Sequence, residues 1–154
     1  MFHEISEEAF LSLKKTSPRV LLYKEYPSDL ITPTQAAFCL KARGEEITLL
    51  ESGERDPELG RHSFIGFNPK MTFTAYGTKM TIDREGKKEE SEGDPFELLR
   101  KLHADAKVPS DRHIHGFIGG AVGYVAYDAI RYVEAIPDRH LVGQEYPDFF
   151  FRFY

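Results

Sequence analysis

The stretch ITLLESGERDPELGRHSFIGFNP, residues 47–69, predicts two short strands joined by a polar loop. Apolar runs at Ile47–Leu50 and Phe64–Phe67 supply the strands, because short apolar runs bounded by turn residues are typical of β-structure. The connection holds four residues of types that favour turns: Gly53, Asp56, Pro57 and Gly60. We therefore expect a strand, a loop and a second strand here.

Polar side chains lie where these strands give way to the loop. Glu51 and Ser52 follow the first strand, and Arg61 precedes the second. Binding groups are often held on loops that a rigid scaffold positions, so these three residues are candidates for a ligand site. The alternative is a surface ion pair between Glu51 and Arg61, worth about 0–1 kcal/mol. The residues alone leave both interpretations open.

The composition is that of one folded domain with a sizeable core. The 154 residues are 41% hydrophobic and 13% aromatic, which excludes a disordered chain. A net charge of -5 with no basic tract makes nucleic acid a poor partner. Cys39 is the single cysteine, which excludes an internal disulfide and a cysteine-built zinc site.

Targeting signals and membrane spans are not expected. The N-terminal residues MFHEISEEAFLSLKK place acids among the apolar side chains, unlike a secretion signal. No apolar run approaches the roughly 20 residues that a bilayer-crossing helix needs. We expect a soluble, cytoplasmic protein with no membrane partner.

Helices are predicted at four places. Residues 5–15 form the first, with Ser6 as a possible N-cap. A second begins at Thr32 or Thr34, with Pro33 at a first helical position, and ends at Gly44; Cys39 within it is expected to be buried. The third runs from the Asp94 cap to about residue 106. The fourth spans 127–134, with an apolar face of Tyr127, Ile130 and Val133 and charge pairs between residues three apart.

Further strands are predicted from β-forming composition and alternation. They cover residues 19–26, 70–76, 78–84 and 148–154, with a tight turn at Gly77. The charged segment EGKKEESEG, residues 85–93, predicts a solvated turn or a frayed edge. The terminal aromatic run DFFFRFY leads us to expect that the natural chain continues beyond it.

Glycines are concentrated in residues 116–134, GFIGGAVGYVAYDAIRYVE. Each glycine weakens a helix or strand by roughly 0.5–1 kcal/mol relative to alanine, so close backbone packing or a bulge in a buried strand is expected. A phosphate cradle is disfavoured, because the spacing fits neither a P-loop nor G-x-G-x-x-G after a strand. His113 and His115 could ligate a metal, but no further ligand is obvious, so no metal site is expected.

The motifs, taken in order, resemble the N-terminal domain of anthranilate synthase component I, the large subunit. Each is weak alone, whereas the ordered set spans nearly the whole chain. The resemblance implies an α+β fold, the N-terminal part of the chorismate-utilising enzyme fold, with a mostly antiparallel sheet covered by three or four helices. The matching segments are Thr32-Pro33, Leu49-Leu50-Glu51-Ser52, GRHSFIG at 60–66 with Pro69, FIGGAVGY at 117–124, Tyr127-Asp128 and Glu134.

The same resemblance implies a site for tryptophan, the end product that inhibits the family's enzyme. Leu50, Glu51 and Ser52 would lie in that site, where Glu51 and Ser52 would hold the polar end of the amino acid, because hydrogen bonds to charged groups are the stronger ones. Arg61, His62 and Ser63 would line the same pocket. This chain departs from the family in having His62 where tyrosine is commoner and Ala126 where glycine is commoner.

Residues 1–154 would then be the regulatory domain of a longer enzyme. In the family a C-terminal chorismate-binding domain converts chorismate and ammonia into anthranilate and pyruvate, using Mg2+. A glutamine amidotransferase subunit usually delivers the ammonia. The resemblance implies no catalytic or metal-binding residue and no cofactor in these 154 residues, which should not catalyse the reaction alone.

Two other functions remain open at this stage. The large subunit of aminodeoxychorismate synthase, on the folate route, shares the architecture and can retain a tryptophan pocket. A free-standing amino-acid-binding module would carry the same pocket without any catalytic domain. The coding sequence downstream separates the enzyme from the module.

Overall fold

The computed structural model describes residues 6–16, 19–27, 29–51, 62–106, 117–137 and 145–154. Within these ranges lie three α-helices, one 3-10 helix and seven strands, and every strand pair is antiparallel. The α+β class is thereby confirmed, although the strands form two sheets. The chain divides into two compact units, Met1–Asn68 with Lys107–Gly120, and Pro69–Ala106 with Ala121–Tyr154.

The helices of the first unit begin at the polar residues that the sequence indicates. Helix α1 spans Glu7–Thr16, and the Ser6 hydroxyl accepts a hydrogen bond from the Ala9 backbone N–H at 3.2 Å. This bond satisfies one of the N–H groups that a helix leaves unpaired at its start. Serine at position 6 is therefore confirmed as the cap of α1.

Helix α2 spans Pro33–Ala42 and settles the choice between the two threonines. The Thr32 hydroxyl accepts from the Gln35 N–H at 3.2 Å, while the Gln35 side chain accepts from the Thr32 N–H at 2.9 Å. This reciprocal pair is a capping box, which Thr34 cannot form from inside the helix. Gly44 follows the helix, as predicted.

Two strands complete the described part of the first unit. Strand β1 (Ile47–Leu50) pairs with β2 (Phe64–Phe67), in a register that sets Leu50 opposite Phe64. Helix α2 lies against both strands and buries Ala37. Cys39 is exposed, so the expectation that it is buried was wrong: α2 turns Ala37 inward, and Cys39 lies on the opposite side.

The described part of the second unit consists of a five-stranded sheet, one α-helix and the 3-10 helix. The sheet order is β5-β4-β3-β7-β6, so β7 lies between β3 and β6. The elements are β3 (Met71–Tyr76), β4 (Lys79–Arg84), β5 (Lys87–Glu92), α3 (Pro95–Asp105), β6 (Ala121–Val125) and β7 (Phe149–Phe153). The Asp94 carboxylate caps α3 by accepting from the Phe96 N–H at 2.8 Å.

The core of this unit lies on one face of the sheet. The register aligns Phe73 with Ile82 on one side and with Phe151 on the other, and Leu102 of α3 packs against the same cluster. Phe73 and Phe149 are fully buried. Because side chains alternate along a strand, the threonines of β3 point to the opposite face.

Gly123 provides the close backbone contact that the glycine-rich segment predicts. A Cβ added there would lie 1.9 Å from the Phe150 carbonyl oxygen and 2.6 Å from the Phe151 Cα. No side chain fits at these distances, so β6 can approach β7 only with glycine. The strand is not buried, however: Tyr124 and Val125 are 42% and 44% exposed, because β6 lies at the edge of the sheet.

A buried carboxylate joins the end of β7 to the turn between β3 and β4. Asp148 is 4% exposed, and its Oδ2 accepts from the Gly77 N–H at 2.8 Å and from the Tyr132 hydroxyl at 2.7 Å. The Asp148 carbonyl oxygen also accepts from the Ala126 N–H at 2.7 Å. A single residue thus fixes the turn, the 3-10 helix that carries Tyr132 and the end of β6.

One secondary-structure prediction was wrong, and two others were right in part. Residues 19–26 have no regular structure: Leu22 and Tyr26 are 58% and 70% exposed, because β-forming composition gains nothing without a neighbouring strand.

The segment 85–93 was expected to be a solvated turn or a frayed edge. It is an exposed edge, but residues 87–92 form the regular strand β5, since pairing with β4 outweighs their composition.

The fourth predicted helix is a 3-10 helix at Tyr127–Tyr132. The apolar face expected for an α-helix is exposed, with Tyr127 95% and Val133 72% accessible, whereas Ala129 is buried. In a 3-10 helix, side chains three residues apart share a face, so the predicted apolar set stays together, but that face is turned to solvent and the face of Ala129 to the core. The expected charge pair is confirmed between Asp128 and Arg131 at 3.3 Å.

Candidate functional site

The candidate site lies where β1 ends and β2 begins, at the end of the strand pair marked by Leu50 and Phe64. Leu50 is the last residue of β1 and is 45% exposed, and Glu51, directly after it, is exposed as well. His62 and Ser63 lead into β2 and are also exposed. Ser52 and Arg61 lie outside the described residues, so the proposed Glu51–Arg61 pair stays a prediction.

The hairpin register divides the described site residues between its two faces. Leu50 and Phe64 form the last pair of the ladder, and extending the same register by one step would set Glu51 opposite Ser63. Successive side chains on a strand point to opposite faces. In that extension Glu51 and Ser63 would share one face, while Leu50 and Phe64 share the other. This division was not predicted from the sequence.

His62 belongs to a row of aromatic rings on the second of these faces. Its imidazole stacks on the Phe64 ring, with the centroids 6.2 Å apart and the planes at 28°. The Phe64 ring in turn meets Phe117 edge-on at 6.1 Å. Such aromatic pairs contribute about 0.5–1.5 kcal/mol beyond the area that they bury. The row ties the end of the hairpin to the segment that precedes the glycines.

Phe117 is the residue of this site that sequence reasoning missed. Its ring lies 3.7 Å from where a Cβ of Gly120 would be. Gly119 and Gly120 adopt φ angles of 140° and 120°, a region that side chains rarely occupy. The glycine pair was the available signal, because it marks a special backbone path next to an aromatic residue.

The chemistry of the exposed groups is that of a polar binding site. A carboxylate and a hydroxyl opposite each other can accept and share hydrogen bonds with an ammonium group. Among the described residues, no group of three or more His, Cys, Asp or Glu is placed to hold a metal. His113 and His115 lie outside those residues.

A second concave feature lies in the five-stranded unit. It is an open groove of about 490 Å³ between α3 and the strands β6 and β7. Its lining is apolar on the sheet side, with Ala121 and Phe151, and carries two basic groups on the helix side. The full set of lining residues is Phe96, Leu99, Arg100, His103, Ala121 and Phe151.

Comparison with known proteins shows that this chain is similar in sequence to one enzyme subunit. Component 1 of anthranilate synthase from Methanothermobacter marburgensis is 38% identical over 142 residues, which cover 92% of this chain and 28% of that protein. The Acetivibrio thermocellus subunit is 36% identical over 90% of the chain. The chain is homologous to one part of anthranilate synthase component 1.

The similarity extends to a plant protein. The chloroplastic alpha subunit 2 of Arabidopsis thaliana is 31% identical over 85% of the chain and 23% of its own length. None of the three relatives is named an aminodeoxychorismate synthase, so that alternative is not favoured. No protein-family model matches the chain.

The chain spans only about a quarter of the length of the curated relatives it matches. Their names describe whole subunits, so the relationship shows which part of those subunits the chain resembles and not what the chain does. In the described part of the chain, no helix combines the length and apolar character required to cross a membrane.

Proposed function

We propose that residues 1–154 are the N-terminal regulatory portion of a cytoplasmic anthranilate synthase component 1, and that they carry part of its tryptophan feedback site. The relationship to component 1 subunits over 85–92% of the chain is the observation that carries this proposal. The ends of β1 and β2 support it, because Glu51, directly after β1, and Ser63, directly before β2, present an acid and a hydroxyl to solvent.

Glu51 and Ser63 form the polar half of the proposed site. The Glu51 carboxylate would pair with the ammonium group of the amino acid, a charge-assisted contact of about 1.5–3 kcal/mol. Ser63, which would lie opposite Glu51 if the register is extended by one step, would add a hydroxyl on the same face. Ser52 and Arg61 complete the proposed set, with Arg61 suited to the ligand carboxylate.

His62 takes a supporting part in this proposal. Its ring is stacked on Phe64, on the face away from Glu51, so its contacts hold the hairpin end in shape. Leu50 lies on that same face. The ligand's indole ring would then be covered in part by protein outside these residues, as expected for a portion of a longer enzyme.

The reaction itself belongs to the proposed larger protein. There, chorismate and ammonia or glutamine would give anthranilate and pyruvate, with Mg2+ and a glutamine amidotransferase subunit as component 2. The part played by this portion would be to couple tryptophan occupancy to the catalytic half, a reciprocal effect of typically 1–3 kcal/mol.

A titration with L-tryptophan tests the proposal. Because the chain contains no tryptophan, the ligand's indole fluorescence can be followed without a protein background. Backbone amide shifts extend the measurement to dissociation constants of about 10 mM. We expect saturable shifts at Glu51 and Ser63, and at least a tenfold weaker affinity for Glu51→Gln, corresponding to about 1.4 kcal/mol.

Matched controls separate the ammonium contact from general effects of charge. Glu25→Gln removes the same charge from an exposed position in the same unit and should leave binding unchanged. Indole-3-propionate lacks the ammonium group, so wild type should discriminate against it and Glu51→Gln should not. Absence of amide shifts at Glu51 and Ser63 at about 10 mM L-tryptophan would contradict the proposal.

A further inference from the structure

The two edges of the five-stranded sheet differ in chemistry. β5 has the sequence KKEESE and all six residues are exposed. Charged side chains on an edge strand discourage pairing with another chain. β6 has the sequence AVGYV, without a charge, and among the described strands it pairs with β7 alone. Its free edge therefore has the composition of a strand that accepts a neighbour.

The open groove lies beside this free edge. Ala121 of β6 and Phe151 of β7 form its floor, and Phe96 and Leu99 of α3 form its apolar wall. A strand added next to β6 would send alternate side chains towards α3, over this groove. Edge and groove are thus two parts of one surface, which we call the β6 surface (Phe96, Leu99, Arg100, His103 and residues 121–125).

The basic groups of α3 favour a bound strand that carries an acidic side chain. Arg100 and His103 are both exposed and lie at the rim of the groove. A neighbouring strand with an acidic side chain at the groove end could form a charge-assisted hydrogen bond with the Arg100 guanidinium. The best-fitting occupant is an extended segment that alternates apolar residues with polar ones and carries an acid.

We propose that the β6 surface binds a β-strand from the remaining polypeptide of a component 1 chain, and so joins the sheet to that polypeptide. This inference rests on the proposed function, in which residues 1–154 are one portion of a longer protein. The relatives carry roughly three quarters of their length outside the matched part, which supplies candidate strands. A covalently connected strand also benefits from a high effective concentration.

Hydrogen exchange of the backbone amides tests this inference. The probe is the unmatched remainder of the Methanothermobacter marburgensis subunit, purified separately and added to the 154-residue chain. We expect amides in residues 121–125 to exchange at least tenfold more slowly with the probe present. Amides in Lys87–Glu92 of β5 should not change, since that edge repels a further strand.

Two variants of α3 test the charge requirement. Arg100→Glu reverses the charge at the groove and should weaken binding of the probe at least tenfold. Lys101→Glu makes the same reversal at an exposed position that does not line the groove and should have no effect. Both sites are exposed, so neither variant should prevent folding.

Three results would overturn the inference. They are no slowing at residues 121–125, equal slowing at both edges, and equal effects of the two variants. Protection of β6 in the chain alone, rising with its concentration, would also overturn it by assigning the surface to a second copy. The tryptophan titration probes Glu51 in the other unit, so its failure is separable from failure here.

Discussion

Strands β5 and β6 occupy the two edges of one sheet, but they reach those positions in different ways. β5 follows β4 through the two-residue turn Glu85–Gly86, so its register is set locally. β6 pairs with β7, which comes after residues 126–148, so its register depends on contacts between distant parts of the chain. Local and distant pairing place different demands on sequence.

The local edge tolerates a composition that is poor for a strand. Glu85 and Gly86 have φ angles of 53° and 88°, as a tight hairpin turn of the mirror-image kind requires, and the Asp83 side chain accepts from the Gly86 N–H at 2.8 Å. The Arg84–Glu89 ion pair, at 2.9 Å, adds about 0–1 kcal/mol. With the turn fixed, charged residues suffice to complete β5.

The distant edge depends instead on fitted contacts. Gly123 lets the β6 backbone approach β7, and the Asp148 carbonyl oxygen accepts from the Ala126 N–H at the end of the same ladder. The Asp148 carboxylate is shared by the Gly77 N–H and the Tyr132 hydroxyl. Loss of any of these contacts should therefore lower the free energy of unfolding more than loss of a charge on β5.

Gly123→Ala is the change with the largest expected effect. The added methyl group would overlap the Phe150 carbonyl oxygen, which is backbone and cannot rotate away. We expect a loss of about 3 kcal/mol, the upper end of what overpacking typically costs, in the free energy of unfolding measured by urea denaturation.

Gly86→Ala is the matched control on the β5 side of the sheet. Its added methyl group meets open space, so only the positive φ angle is penalised, by about 1–2 kcal/mol. Equal losses of stability for the two variants would mean that the close backbone contact at Gly123 does not make β6 more sensitive to substitution than β5.

Much of the local structure could be predicted because short-range signals decide it. The Thr32 and Asp94 caps, the turn at Gly77 and the alternation in 70–84 each act within a few residues. The strand predicted at residues 19–26 is not formed, and the regular strand at 87–92 was not predicted, for the opposite reason. Whether a β-forming run pairs, or a charged run is drawn into a sheet, depends on which neighbour is present, and composition does not contain that information.

The candidate site was predictable only in part. Residue types and the position of the strand ends brought Glu51, Ser52 and Arg61 forward, whereas Ser63 came only from the family resemblance. Of these, the structure describes Glu51, directly after β1, and Ser63, directly before β2. The division into two faces needs the pairing register, which a one-residue shift would reverse. The stacking of His62, Phe64 and Phe117 brings together residues more than 50 positions apart, so no spacing rule reveals it.

Tyr132→Phe removes the hydroxyl that donates to the Asp148 carboxylate, and its effect on stability should be intermediate. Burial raises the pKa of Tyr132 above its ordinary value of 10.0, and the hydrogen bond and charge of Asp148, then the charge of Asp94, raise it further. The folded chain therefore holds this proton at a pH where the unfolded chain has lost it. Stability from Tyr132 is complete below about pH 10 and falls as the pH rises beyond that value.

The variant should be about 1 kcal/mol less stable than wild type at pH 7, because one buried hydrogen-bonding group is lost. Above about pH 10 that difference in stability should shrink, because only wild type has the Tyr132 hydroxyl, whose contribution to stability falls as the pH rises. Denaturant titrations at several pH values measure both quantities. Tyr127→Phe, on an exposed ring of the same 3-10 helix, is the control and should show neither effect. If the stability difference between wild type and Tyr132→Phe grew with pH, the conclusion that folding raises the pKa of Tyr132 would be wrong.

The smallest change in stability is expected for the double variant Lys88→Val and Glu90→Val. Both side chains are exposed on β5, so the free energy of unfolding should move by no more than about 0.5 kcal/mol. Removing these two charges nevertheless makes the β5 edge less charged and more apolar, and so more like that of β6. Self-association measured by sedimentation velocity should therefore increase. The variant Glu8→Val with Lys14→Val, which removes one charge of each sign from exposed positions of α1, should stay as wild type. If both double variants self-associate alike, added apolar surface is the cause and the charges of β5 do not protect an edge.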